Sequence, residues 1–140
     1  MDLRKISLWL AMRLFWVAFV FAVALALWTR PAPACEICVE DHVAATYDYA
    51  VVARAETAGQ KVLFVAIRGR DAGAPRAEAA VRKALVAAGA DRASIRYSAF
   101  PTAASFAFDP KRSSSAEMLR TVNGGLGGSG LTLVALKVIS

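Results

Sequence analysis

The chain has few of the residues from which catalytic constellations are built. Its 140 residues include one histidine and two cysteines. With His42 as the sole histidine, no Ser-His-Asp arrangement can be defended. Basic residues are scattered and are not interleaved with aromatics, which excludes a nucleic-acid footprint. No strand pattern precedes the Cys35-Glu36-Ile37-Cys38 segment, as a thioredoxin-type redox centre requires. The formal net charge is +6. Half of it comes from Arg4, Lys5, Arg13 and Arg30 against Asp2, so the rest of the chain is nearly balanced.

What the chain does have is apolar surface. Hydrophobic residues make up 57% of it, too many for a disordered segment. Leu14 to Trp28 is an uninterrupted apolar run, preceded by a basic start and followed by Ala32-Pro33-Ala34. This is the layout of a secretory signal cleaved after Ala34. Two other readings stay open. Ile6 to Trp28 carries one charge and is long enough to span a bilayer as a retained anchor. Cys35 can also be a lipidated cysteine. Each reading places residues 35–140 in the periplasm or another extracytoplasmic space, anchored in the inner membrane if the leader stays. About 105 residues then remain, enough for a core without covalent staples.

The patterning beyond Ala34 divides the chain into residues 1–34 (signal or anchor), 35–60 (an added helix) and 61–140 (the main domain). Val39 to Ala58 has helical spacing, with Glu40 and Asp41 in its first turn and Gly59 as a stop. Tyr47 falls on its core side and Asp48 on its surface. Lys61 to Ile67 is an apolar strand. Pro75 opens a helix that buries Ala77, Val81 and Leu85 and ends at Gly89. Ser94 to Phe100 and the Ala104-Phe106-Phe108 stretch alternate as strands on either side of a Pro101-Thr102 turn. Ser114 and Glu117 form a capping box for a short helix stopped at Asn123-Gly124-Gly125. Leu131 to Ile139 is the last strand. The order from Lys61 is β-α-β-β-α-β, an α+β, ferredoxin-like arrangement with an extra N-terminal helix. The first and last strands are apolar on both faces, so the sheet needs a second cover. The extra helix or a homodimer partner can supply it.

Arg76 to Asn123 resembles a heavy-metal-associated domain, the fold of copper chaperones and copper-pump N-terminal domains. The resemblance rests on the Ala-rich helix Ala77 to Leu85, the phrase Ser105-Phe-Ala-Phe-Asp-Pro110, and the helix running to Asn123-Gly124. With the flanking strands it covers about 80 residues. That family carries a Cys-x-x-Cys in the loop after the first strand. Here the loop, Gly69 to Pro75, has no cysteine.

The chemistry therefore falls to Cys35 and Cys38. Two thiolates at this spacing can share one soft cation, and His42 lies one helical turn further on. Cys35, Cys38 and His42 suit Cu(I) or Zn(II). After cleavage at Ala34, the free amine of Cys35 adds a nitrogen. Glu36 adds negative charge, which favours a cation. A redox-active dithiol and an inert disulfide remain alternatives, as does an interaction module whose cysteines are incidental. If the extra helix runs antiparallel to the first strand, its start lies at the edge of the cysteine-free loop. The glycine-rich stretch Gly124 to Gly130 follows a helix and opens a strand. It is therefore a connection and not a phosphate cradle. The expected function is an exported small protein that handles a soft cation, with a redox role as alternative. Its partners are the metal ion, a protein or second copy on the sheet face, and the membrane if the leader is retained.

Overall fold

The computed structural model describes residues 36–139, with side chains from Val39 onward. The leader and Cys35 lie outside the described residues, and so does the side chain of Cys38. Among the described residues, no helix is long and apolar enough to cross a membrane.

The fold is α+β, with four helices and a four-stranded antiparallel sheet. Helices α1 (Glu36–Thr46) and α2 (Tyr49–Thr57) come first. Strand β1 (Lys61–Arg68), helix α3 (Pro75–Ala87), β2 (Arg96–Ala99), β3 (Thr102–Phe108), α4 (Ser115–Leu126) and β4 (Thr132–Ile139) follow. The strands lie in the order β2-β3-β1-β4. β1 is central and antiparallel to both neighbours.

Period-two alternation in β1 builds two cores. Leu63, Val65 and Ile67 join Phe106 and Phe108 of β3 under α3 and α4. On the other face, Val62, Phe64 and Ala107 meet Val43 of α1 and Val51 and Ala55 of α2. The apolar second face of β1 is thus packed within this chain. β4 is covered less fully: Leu136 and Ile139 pack against the second core, while Val138 stays 41% exposed.

Three elements differ from the sequence pattern, each for a local reason. Val39 to Ala58 is two helices, because Asp48 leaves helical geometry to cap the second one. Its carboxylate accepts from the amides of Ala50 (2.9 Å) and Val51 (3.2 Å). Ser94 starts no strand. It sits in a 3-10 turn (Arg92–Ser94), where its Oγ donates to Asp91 O and accepts from Ala107 N. α4 runs through Asn123 and both glycines to Leu126, which is buried in the first core. Gly125 faces Ala84 of α3, where a Cβ would make ordinary contact at 3.7 Å. The Ser114–Glu117 capping box forms as read.

Candidate functional site

Positions 38 and 42, two of the candidate ligand positions, lie in α1, and α1 is placed by one transverse row of the sheet. Arg96 pairs with Ser105, Ser105 with Phe64, and Phe64 with Lys137, one residue from each strand. α1 and the residues just after it touch every member of this row. Glu40 Oε1 is 4.0 Å from Lys137 Nζ over β4. The Tyr47 ring stacks on Phe64 at 6.2 Å between centroids and 10° between planes. Ser105 Oγ donates to the carbonyl of Thr46 at 2.7 Å, a buried bond. Arg96 Nε donates to Asp48 Oδ2 at 2.8 Å.

The dimensions agree. Three strand spacings measure about 14 Å and an eleven-residue helix about 16 Å. α1 therefore runs across the strands, with Glu40 toward β4 and Thr46 over β3, and Asp48 just after it reaches β2. The antiparallel helix-strand hand-over expected from the sequence does not occur, because the chain turns at Tyr47-Asp48. Phe64 marks the height of α1, and Arg68, where the cysteine-free loop begins, is about 13 Å further along β1. Glu40 is accordingly not beside that loop.

Within α1, position 38 stands one turn before His42. His42 is half-buried, and its carbonyl accepts from Thr46 Oγ1 at 3.3 Å. Glu40 and Asp41 are exposed. Among the described residues, no group of three His, Cys, Asp or Glu side chains gathers as a metal cluster; Cys35 and the Cys38 side chain fall outside that set. The cysteine-free loop is itself well fixed. Tyr97 Oη donates to Ala72 O, Thr102 Oγ1 donates to Ile67 O at 2.9 Å, and Arg76 pairs with Asp71. Burial pushes the Tyr97 hydroxyl pKa up, with the Glu78 charge adding to it.

The sequence reading missed Asp48. It had a usable signal: an aspartate in the middle of a helical pattern competes for backbone amides and tends to open a helix. Tyr47, read as core, is 47% exposed and covers Phe64 from outside. No protein-family model matches the chain, and no curated protein or solved structure matches it either.

Proposed function

We propose that this is an exported, small metal-binding protein that carries a soft cation, Cu(I) ahead of Zn(II), on Cys35 and Cys38 with His42 as a further ligand. One observation carries the reading: α1 opens at Glu36, directly after Cys35, with positions 38 and 42 one turn apart. A helix start favours thiolate over thiol through its unpaired amides and dipole. The i, i+4 spacing brings two ligand positions to one side of the helix. The acidic residues Glu40 and Asp41 add a field that attracts cations.

The strand order β2-β3-β1-β4, with α3 and α4 on one face, supports a ferredoxin-like assignment for residues 61–140. In this reading the domain is a divergent heavy-metal-associated one whose ligands have moved from the first loop to an added helix. Residues 1–34 serve as its signal or inner-membrane anchor.

The test is a Cu(I) titration of the reduced full chain in neutral detergent, against a competing chelator. Cys35→Ser with Cys38→Ser is expected to weaken binding by about a hundredfold or more, and His42→Ala by about tenfold. Equal affinity in the double variant overturns the proposal. A dithiol potential well above about −300 mV, with no Cu(I) affinity, assigns the pair to thiol-disulfide exchange instead.

A further inference from the structure

On the opposite side of the domain, a cleft of about 660 Å3 runs along the outer face of α3 and onto the 3-10 turn after it. Arg82 and Lys83 of α3 and Arg92 of the turn line it, with Val86 as the exposed apolar side chain between them and Ile95 buried beneath. No acidic residue lines it.

The three cations are not equivalent. Arg82 Nε donates to Glu78 Oε1 at 2.8 Å and its Nη1 to Ile95 O at 3.4 Å, which fixes the guanidinium against the wall. Lys83 and Arg92 are exposed, and neither has an ion pair among the described residues. Val86 shares the cleft with them and is 41% exposed, one of the larger apolar side chains left uncovered. Lys83, Val86 and Arg92 all face solvent, so the site is an open trough that admits a chain laid along it.

Arg82 and Val86 are one helical turn apart, about 6 Å along α3. Alternate side chains of an extended peptide are about 6.6 Å apart. An extended segment can therefore set carboxylates on the cations while an apolar side chain meets Val86.

We propose that this cleft binds an extended acidic segment of a partner protein, with carboxylates flanking an apolar residue. Charge complementarity selects the segment, and the exposed Val86 meets its apolar side chain. The site is separate from the Cys-x-x-Cys helix and does not depend on metal.

The full chain in neutral detergent should bind a fluorescein-labelled peptide of repeating Glu-Thr-Leu-Thr, which keeps glutamate and leucine on one face when extended, read by anisotropy. Lys83→Glu with Arg92→Glu should weaken binding by about tenfold or more, and Arg92→Lys by less than about threefold. Both variants should keep the wild-type thermal midpoint, since neither side chain has an ion-pair partner to lose among the described residues. Val86→Ser, which leaves every charge in place, should also weaken the complex. Equal binding of the same peptide with glutamine for glutamate overturns the proposal, as does an affinity indifferent to the charge reversal. Displacement of the peptide by an equal concentration of inorganic phosphate makes the cleft a small-anion site and also overturns it. So does binding to phosphatidylglycerol vesicles, lost in the same variants, when the peptide does not bind.

Discussion

Asp48 serves two elements with one carboxylate. Oδ1 accepts the first free amides of α2, and Oδ2 accepts Nε of Arg96 on β2. The Arg96 hydrogen bond, helped by the Val51 amide, holds its pKa below the usual carboxylate range. A carboxyl whose pKa is depressed by folding stabilises the fold above its unfolded pKa. That contribution fades as pH falls from about 4 through the lower folded value. Asp48→Asn should therefore lower the thermal midpoint at pH 7. The difference from wild type should shrink as pH falls below about 4, which calorimetry at several pH values measures. Gly69 is constrained differently. Its φ is +143°, and a Cβ there would sit 2.6 Å from Gly130 O and 2.9 Å from Leu131 Cδ2. The Leu131 methyl can shift, but Gly130 O is backbone in the turn before β4 and does not yield cheaply. Gly69→Ala should destabilise by about 2–4 kcal/mol in denaturant unfolding.

At the scale of elements, the pattern was most legible where one face is buried and the other wet. α3 buries Ala77, Val81 and Leu85, and it opens on Pro75, whose fixed φ and missing amide hydrogen suit the first turn of a helix. β3 lines the first core with the phenylalanines that alternation indicated, although its other face is buried as well. Legibility failed where a polar side chain took over backbone hydrogen bonding, at Asp48 and Ser94. It failed again at Asn123, read as a stop. The Asn123 side chain accepts from Leu133 N (2.8 Å) and donates to Leu133 O (3.0 Å). It thereby occupies part of the open edge of β4, a tertiary role that no local pattern announces. Phe64 shows how strongly α1 depends on the sheet. It is 1% exposed, lies in the transverse row and carries the Tyr47 ring. Phe64→Ala should cost about 3–5 kcal/mol. Hydrogen exchange should rise first in α1 and α2, before α3 and α4.

For the whole molecule, the division of labour follows from the two faces of the sheet. The α3–α4 face supplies the larger core, and the outer side of α3 carries the basic cleft. The α1–α2 face carries the segment that follows Cys35. Spacing identified Cys35, Cys38 and His42 as candidate ligands. The heading of α1 was not legible, because it depends on pairings among residues far apart in sequence.

That heading also sets an order of events. An isolated helix of eleven residues is marginal in water. The platform of α1 consists of Phe64, Arg96, Ser105 and Lys137, which are contributed by all four strands. It is complete only once β4, the last strand, has paired with β1. α1 is thus a strap that closes on a finished sheet, and closing the long loops it spans is slow compared with forming the local helices. Under the proposed function, a newly made chain would hold its ligand positions on an unanchored segment, and only the completed domain would present them at a fixed height above the strands.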